Sequence, residues 1–362
     1  MKLDVQLDDT DVGILLAIQK DASKISTSEL SEQLGIPDRT VRYRLNKLRE
    51  QGLLRPPKLM TYERKIGLGE QLLLLQSIPE KEETLVKILD EIDFFHHYSP
   101  TYGRYDGFMV NTMFPLVAPR MVRQVAEELK EKELISDFYI FDLVDYCRKG
   151  VDVAPLLPGS DWSWSKWSEE AKQIMSGKCD LELGLEEFPS TVKFDYRDIQ
   201  ILTYMVENPV ATQKEIGELL DLSSAQVHKR IKRLKKSGVI RGVKLYFTPF
   251  KDVMKIGCFF KSREHAKRIL CGFHRLPYEI TFAQESSTDY VVQIVLPSSE
   301  MNQFLQHMHI FRKYTEEFFI QTSLKGKCKG YTHLLRSFKQ EACCWEMPLS
   351  DTMQTIRNIS VS

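Results

Sequence analysis

The stretch that decides the fold is PDRTVRYRLNKLREQGLLR at residues 37–55, because the chain repeats its pattern at residues 223–241 as SSAQVHKRIKRLKKSGVIR. Apolar residues recur at helical spacing in both copies: Val41, Leu45 and Leu48 in the first, and Val227, Ile231 and Leu234 in the second. Gly52 and Gly238 follow the last apolar step, and glycine commonly ends a helix. Each stretch is therefore predicted to be an amphipathic helix.

Two shorter amphipathic helices are predicted ahead of each of these helices. Residues 7–36 and 194–222 share aspartates, glutamates and a leucine at matching steps, with a deletion of one residue between the first two helices of the second copy. Ser223 is predicted to cap the third helix of the second copy. In the first copy Pro37 suits the first helical turn and leaves Asp38 as a shifted cap.

A strand is predicted after each three-helix unit. Residues 53–62 and 239–247 alternate in the way that wing strands do, although Pro56 and Pro57 weaken the first strand. Three short helices followed by a wing are typical of a winged helix-turn-helix. The chain is therefore predicted to contain two such domains.

Downstream of each unit the sequence predicts a strand, a helix, two strands, a helix and a strand. In the first copy these elements are residues 71–78, 82–92, 94–102, 108–114, 119–132 and 137–144. In the second copy they are residues 255–262, 264–276, 278–286, 290–296, 299–313 and 316–324. This order is ferredoxin-like, with two helices covering one face of an antiparallel sheet.

The predicted fold class is α+β, with two winged helix-turn-helix domains alternating with two ferredoxin-like (βαββαβ) sensing domains. The predicted boundaries are 1–66 for the first helix-turn-helix domain, 67–146 for the first sensing domain, 147–193 for a linker, 194–250 for the second helix-turn-helix domain, 251–326 for the second sensing domain and 327–362 for a tail. A chain of 362 residues is long enough for several such domains.

Residues 7–146 and 194–326 each resemble the leucine-responsive regulatory protein and AsnC family of transcriptional regulators. The resemblance is carried by the LD..D..IL opening, the V..R...L...G third helix and the sensing module that follows. Family members usually carry one copy per chain, so this chain resembles two members joined in tandem. The resemblance implies binding of double-stranded DNA and control by a small-molecule effector.

In the resembled family, effectors bind near a turn with glycine and aspartate between the middle strands of the sensing module. Gly103, Tyr105 and Asp106 match that turn in the first copy, and they are the predicted effector residues. The second copy has residues 286–289, SSTD, without the glycine. The structural alternative is a hairpin turn that joins two strands and binds nothing.

The exposed faces of the third helices are the predicted DNA-binding surfaces. The predicted contact residues are Arg39, Thr40, Arg42, Tyr43, Asn46 and Lys47 in the first copy, and Gln226, His228, Lys229, Lys232 and Arg233 in the second. Arginine and asparagine read bases bidentately, whereas a lysine-rich face suits phosphates. Arg44 and Arg230 lie nearer the buried stripe, and the sequence leaves open whether they pair with an acid or meet DNA.

Composition narrows the class of protein without naming a partner. Lys plus Arg and Asp plus Glu both number 50, so only local clustering of charge points to nucleic acid. Seven cysteines without a repeated spacing favour free thiols in a reducing cytoplasm, and no apolar run predicts a membrane span or an export signal. No cofactor, metal site or catalytic residue is predicted.

Several remaining residues invite a functional interpretation. Trp162, Trp164 and Trp167 in the linker are predicted to pin it onto a domain, with base or ligand stacking as the alternative. Cys343 and Cys344 invite a redox role, and His96 with His97 and His307 with His309 invite a metal or catalytic role. The second pair would point about 200 degrees apart on one helix, which disfavours a shared metal.

The sequence as a whole predicts a DNA-binding transcriptional regulator whose two sensing modules pair face to face within the chain, with dimerisation of chains as a further step. An enzyme is the main alternative, because siroheme decarboxylases resemble the same duplicated architecture and His97 is followed by Tyr98. The basic third helices argue against that alternative. An architectural protein that binds DNA without an effector is the third interpretation.

Overall fold

The computed structural model describes residues 7–20, 26–157, 159–177, 179–330, 335 and 337–358. The outer ends of the predicted first domain and of the predicted tail, residues 1–6 and 359–362, lie outside the described residues. Within the described ranges, no helix is long and apolar enough to cross a membrane.

The first half of the chain follows the predicted order of elements. It contains α1 (Asp9–Lys20), α2 (Thr27–Leu34), α3 (Asp38–Glu50), β1 (Lys58–Thr61), β2 (Leu68–Ser77), α4 (Glu82–Glu91), β3 (Phe95–Gly103), β4 (Gly107–Pro115), α5 (Met121–Glu131), β5 (Ile135–Leu143), β6 (Asp145–Lys149) and α6 (Trp164–Ser176).

The second half repeats that order and ends in a tail with its own elements. It contains α7 (Tyr196–Glu207), α8 (Gln213–Leu220), α9 (Ser224–Lys236), β7 (Ile240–Lys244), β8 (Val253–Lys261), α10 (Ala266–His274), β9 (Glu279–Gln284), β10 (Asp289–Pro297), α11 (Met301–His307), α12 (His309–Arg312), β11 (Glu317–Ser323), β12 (Lys327–Cys328), β13 (Phe338–Lys339), β14 (Cys344–Trp345) and α13 (Leu349–Asn358).

The ends of the third helices show one correct and one incorrect cap prediction. The Ser223 side chain accepts from the Gln226 amide and forms a capping box, as predicted. Pro37, not Asp38, occupies the cap position of α3 and makes no side-chain hydrogen bond, because Asp38 is already the first helical residue. Both helices are followed by a left-handed glycine, Gly52 with φ 71° and Gly238 with φ 75°.

The wing strands lie where they were predicted, but each pairs with the wing strand of the other copy. β1 runs antiparallel to β7, with Lys58 opposite Lys244, and a further bridge joins Leu54 to Phe247. Each copy supplies a single strand before the chain enters its sensing domain. The two helix-turn-helix units are therefore connected by one shared two-stranded sheet.

Both sensing domains are ferredoxin-like and belong to one continuous sheet. The strand order β5-β2-β4-β3 in the first domain and β11-β8-β10-β9 in the second is the same, and β3 joins β11. The segment after each domain crosses to the other one, since β6 pairs with β9 and β12 pairs with β3. Each domain thus lends its last short strand to the edge of its counterpart.

An apolar cluster lies between the faces of the sheet that carry no helices. Its buried residues come from both domains: Leu72, Leu74, Tyr105, Met109, Phe141, Phe259, Ala283 and Val291. Phe259 and Phe319 stack at its centre, with ring centroids 4.7 Å apart. The two sensing domains therefore pack face to face inside a single chain.

The linker and the tail each place a helix on the sensing domain of the other half. Trp164 and Trp167 in α6 are buried against α10 and α11, and the Trp167 indole donates to the Gly272 carbonyl. In the tail, α13 packs on α5, and Arg357 forms an ion pair with Glu128. The tryptophans pin the linker to a domain, which is the first of the two interpretations.

The predicted helix over residues 299–313 is divided into α11 and α12 at Met308. The Nδ1 atom of His307 lies 2.7 Å from the Gln303 carbonyl oxygen, and that of His309 lies 2.7 Å from the Gln306 carbonyl oxygen, both in α11. These two histidines are bonded to the local backbone, and they do not face each other across a shared site.

Candidate nucleic-acid interface

The outer face of α3 is formed by side chains of mixed chemistry. Arg39, Arg42, Tyr43 and Asn46 are exposed, and Thr40 and Lys47 are half-buried. Tyr43 is 64% exposed, which is high for an aromatic side chain and leaves its ring free to contact a partner. This face combines phosphate-binding and base-reading groups, because arginine and asparagine can both bond bidentately to base edges.

The outer face of α9 is formed mainly by lysine. Lys229, Lys232 and His228 are exposed, as predicted. Lys235 and Lys236 extend the same exposed surface toward the helix end, and the sequence prediction did not include them. Their signal was present in the sequence, since residues 223–236 contain six Lys or Arg and no acid. Lysine is a compact charge with little geometric selectivity, so this surface fits phosphates.

The arginines near the buried stripe pair with acids inside each unit. Arg44 bonds to Asp8 and lies 3.4 Å from Asp11 in the first copy. Arg230 bonds to Asp195 and Asp198, at 2.8 and 2.9 Å, in the second. The choice that the sequence left open for Arg44 and Arg230 is thus decided in favour of internal ion pairs. These pairs fix the third helix against the start of the first helix.

Arg233 was predicted to contact DNA, but its guanidinium is bonded to an acid within the unit. Its guanidinium donates to Asp198, whose side chain is fully buried, although half of the Arg233 side chain remains exposed. Gln226 is also occupied in part, since its side-chain oxygen accepts from the Ser223 amide. Both residues were predicted to contact DNA, and the structure gives them first a role in holding α9.

These hydrogen bonds also set the pKa of an acid in the second unit. Burial acts to raise the pKa of Asp195, but the bonds from Arg230 and from the Asp198 amide hold it below its ordinary value. The Asp195 carboxylate therefore remains charged and keeps Arg230 in place. What projects outward from α9 is a set of lysines that form no ion pair with the residues that the structure describes.

The predicted effector turn lies at the junction of the two sensing domains. The Asp106 carboxylate accepts from the Gly103 amide at 3.1 Å, and a Cβ on Gly103 would come within 2.4 Å of the Ile320 carbonyl. Tyr105 is buried, and its backbone bonds to the Gln321 side chain. A cavity of about 420 Å³ adjoins Asp106 on the side of α4. The structure thus brings Asp106 beside a cavity but buries Tyr105.

The histidine and tyrosine that suggested an enzyme lie on opposite faces of the sheet. His97 and Tyr98 are neighbours in β3 and so point to opposite faces of the sheet. The Tyr98 hydroxyl donates to Asp90 at 2.7 Å. Burial, with help from Lys255, lowers the pKa of His97 to about 4, so this imidazole is neutral at pH 7. Over the described part of the chain, no group of three His, Cys, Asp or Glu residues is placed to hold a metal ion.

Both helix-turn-helix units resemble known proteins. The sequence profile of the winged helix-turn-helix DNA-binding family matches residues 7–55 and 194–241. An uncharacterized HTH-type transcriptional regulator of Pyrococcus abyssi is 30% identical over 110 residues, which is 30% of this chain and 69% of that protein. A second uncharacterized HTH-type transcriptional regulator, from Pyrococcus furiosus, is 41% identical over 69 residues, which is 19% of this chain and 38% of that protein. The chain thus aligns with little more than a third of the latter relative.

Solved structures extend the likeness to the whole fold. The siroheme decarboxylase NirDL overlays 97% of this chain and 100% of its own with a TM-score of 0.58 at 14% identity. The Pyrococcus furiosus regulator, whose solved structure is described as that of a member of the AsnC family, overlays 39% of this chain and 91% of its own with a TM-score of 0.28 at 22% identity. At 14% identity the likeness to NirDL shows a shared fold.

Proposed function

The chain belongs to the family of winged helix-turn-helix transcriptional regulators typified by the leucine-responsive regulatory protein and AsnC, and we propose that it binds double-stranded DNA through α3 and α9 to control transcription. The observation that carries the proposal is the surface of α9. There Lys229, Lys232, Lys235 and Lys236 are exposed together, while Asp195 and Asp198 at the start of the unit are paired with Arg230 and Arg233. Such a concentration of like charge is relieved when a polyanion binds.

The test is the binding of a labelled random-sequence duplex, measured by fluorescence anisotropy over a range of salt concentrations. We expect the logarithm of the affinity to fall linearly with the logarithm of the salt concentration, because phosphate binding releases counterions. Lys232→Glu should weaken binding strongly. Lys172→Glu, an exposed lysine on α6 far along the chain from either unit, is the matched control and should not. Absence of binding at low salt, or binding that ignores salt, would contradict the proposal.

Control by a small molecule is the second part of the proposed function. The cavity beside Asp106 supports an effector at the turn that contains Gly103, Tyr105 and Asp106, although burial of Tyr105 leaves only its neighbours accessible.

Location and assembly complete the proposal. We propose that the protein binds DNA in the cytoplasm. Pairing of two chains into a homodimer is a further part of the proposal.

A siroheme decarboxylase is the second candidate function, because the fold match with NirDL spans nearly the whole chain. The half-buried, neutral His97 is the residue that such chemistry would use. Addition of siroheme to the purified protein separates the two candidates. A new Soret band followed by loss of carboxylates from the tetrapyrrole would favour the enzyme, and an unchanged spectrum would favour the regulator.

A further inference from the structure

A cavity of about 370 Å³ lies between the first helix-turn-helix unit and the central sheet. One wall is apolar and is formed by Leu15 and Ile18 of α1 together with Leu54. The opposite wall is formed by the end of β6 and by the segment that runs from β7 to Phe247. The cavity therefore occupies the contact surface between a DNA-binding unit and the body of the protein.

The wall opposite the apolar side is cationic. Arg148, Lys149 and Lys244 line it, and Asp152 is the acid among the lining residues. The Asp152 carboxylate is already engaged, since it accepts from the Ala154 amide at 3.3 Å. The lining thus has an excess of positive charge in a partly buried space.

Arg148 is the cation whose bonding is incomplete. Its Nε atom is buried and has no hydrogen-bond partner among the described residues. Its guanidinium also bonds the Tyr246 side chain and lies 5.7 Å from the centre of the Tyr146 ring, and neither tyrosine supplies an anionic partner. A buried donor without an acceptor costs free energy, so an anion that accepted from it would be stabilised.

The two lysines of the cationic wall donate to backbone carbonyls. Lys244 Nζ donates to the Arg148 carbonyl at 3.0 Å, and Lys149 Nζ donates to the His274 carbonyl at 2.7 Å. Burial lowers the pKa of Lys149 to about 8 and also lowers the pKa of Lys244. An anion near these groups would favour their charged forms.

The internal repeat shows that this cationic wall is particular to one copy. Lys149 and Lys329 are equivalent, because Lys149 ends β6, Lys329 comes directly after β12, and each donates to carbonyls at the end of the first helix of the other sensing domain. The residue before Lys329 is Cys328, where the first half has Arg148. Folding of the repeat alone therefore does not require an arginine at this position.

The two helix-turn-helix units are also attached to the body with different strength. Arg241 of the second unit makes two bonds to the fully buried Asp145, at 2.6 and 2.9 Å, and lies 3.8 Å over the Tyr62 ring. Its counterpart Arg55 is 44% exposed and lies 3.9 Å from Glu279. The first unit thus has the weaker polar attachment and sits above the cavity.

We propose that the cavity beneath the first helix-turn-helix unit binds a small organic acid, a carboxylate with an apolar body, and that the bound acid fixes the orientation of this unit. The carboxylate accepts from Arg148, and the apolar body packs against Leu15, Ile18 and Leu54. The regulatory part of this proposal rests on the proposed DNA binding, whereas ligand binding itself does not.

Calorimetric titration of the full chain with octanoate, in the absence of DNA, tests the ligand site. Octanamide is the matched neutral probe, since it has the same apolar body without the charge. We expect saturable binding of one octanoate per chain, at least about tenfold tighter than octanamide, because a charge-assisted hydrogen bond is lost in the amide. Equal affinities, or no saturable binding, would overturn the proposal.

Two variants place the binding in this cavity. Arg148→Met should lower the affinity for octanoate to that for octanamide, and Gly150→Phe should abolish binding of both. A Cβ at Gly150 would meet no atom within 4 Å, so this variant adds an aromatic ring at the lining of the cavity without a backbone clash, and it serves if Arg148→Met fails to fold. Arg123→Met, at an exposed arginine over Phe138, is the control and should bind octanoate normally. Unchanged binding in the Arg148 or Gly150 variant would overturn the assignment.

The effect of the bound acid on DNA affinity is measured separately. Octanoate should change the affinity of the unmodified chain for its preferred DNA and should leave that of Gly150→Phe unchanged. An equal effect on both proteins would overturn the coupling. If no form of the protein bound DNA, the proposed function would fail while the calorimetric result for the cavity stood on its own.

Discussion

Asp198 shows how single side chains set the position of a recognition helix. Its carboxylate is fully buried and accepts from Arg230 and Arg233 of α9 as well as from the Asp195 amide at the start of α7. Asp11 has the same place in the first unit, where it is bonded by Arg44. The third helix of each unit is thereby fastened to the first helix by charge as well as by apolar packing.

Asp198→Ala is expected to lower the free energy of unfolding by about 3–5 kcal/mol, because it removes the buried acceptor of Arg233 and leaves Arg230 with Asp195 as its remaining acid. Urea unfolding followed by circular dichroism measures the change. Glu218→Ala is the control, since Glu218 pairs with Lys214 at 3.8 Å on the exposed surface of α8. Its loss should cost at most about 0.5 kcal/mol. Equal effects of the two substitutions would refute the structural role of Asp198.

Two half-buried histidines predict how the free energy of unfolding depends on pH. Burial lowers the pKa of His97 and of His274 to about 4 in the folded chain, with Lys255 acting on the first and Lys149 on the second. Unfolded histidine titrates near 6.5. Between these values the unfolded state binds more protons, so the free energy of unfolding should fall as pH drops from about 6.5 toward 4.

His97→Gln should flatten that dependence by up to about one proton. The comparison requires urea unfolding of both proteins at several pH values in this window. His228→Gln, at an exposed position of α9, is the control and should keep the full slope. If the free energy of unfolding had the same pH dependence in the unsubstituted protein and in His97→Gln, the fold would not be what keeps this imidazole neutral.

The recognition helices differ at the scale of whole elements. α3 exposes arginine, tyrosine and asparagine, whereas α9 exposes lysines. Arg39→Ala or Asn46→Ala is therefore expected to cost about 1–3 kcal/mol on the preferred site and much less on random DNA, because a base contact is lost. Competition of specific and random duplexes in an anisotropy assay measures the two costs separately.

The double substitution of Lys229 and Lys232 by alanine should act differently. It should weaken binding to all sequences alike and reduce the salt slope by roughly one unit for each lost phosphate contact. Lys172→Ala on α6 controls for the general loss of charge. If the α3 and α9 substitutions lowered specific and random binding by the same factor, the proposed division of labour between the helices would be wrong.

Local pattern in the sequence was enough to predict the elements but not their partners. The third helices, the glycines that end them and the strands of both sensing domains were predicted from periodicity, because these features depend on neighbours within a few residues. The pairing of β1 with β7 was not, since strand partners are chosen by contacts between distant segments. The acid partner of Arg233 and the packing of α13 on α5 were missed for the same reason.

At the scale of the molecule, the two halves complete one another. The core of the first helix-turn-helix unit includes Val151 and Val153 from the linker and Phe247 from the second half. The core of the second unit includes Leu59 from the first half and Phe338 and Trp345 from the tail. Crossed strands and helices join the sensing domains in the same reciprocal manner. One chain therefore has the arrangement of a symmetric dimer, with unlike side chains at equivalent positions.

Selection of bound fragments from a random pool of duplex DNA, followed by footprinting of the winning sequence, tests the central claim that one chain reads DNA with two unlike helices. We predict an enriched site without two-fold symmetry, in which one part shows strong base preferences under α3 and the other part is protected with weak preferences under α9. A pool that shows no enrichment would indicate an architectural protein. Two identical half-sites, or the absence of bound DNA, would contradict the account.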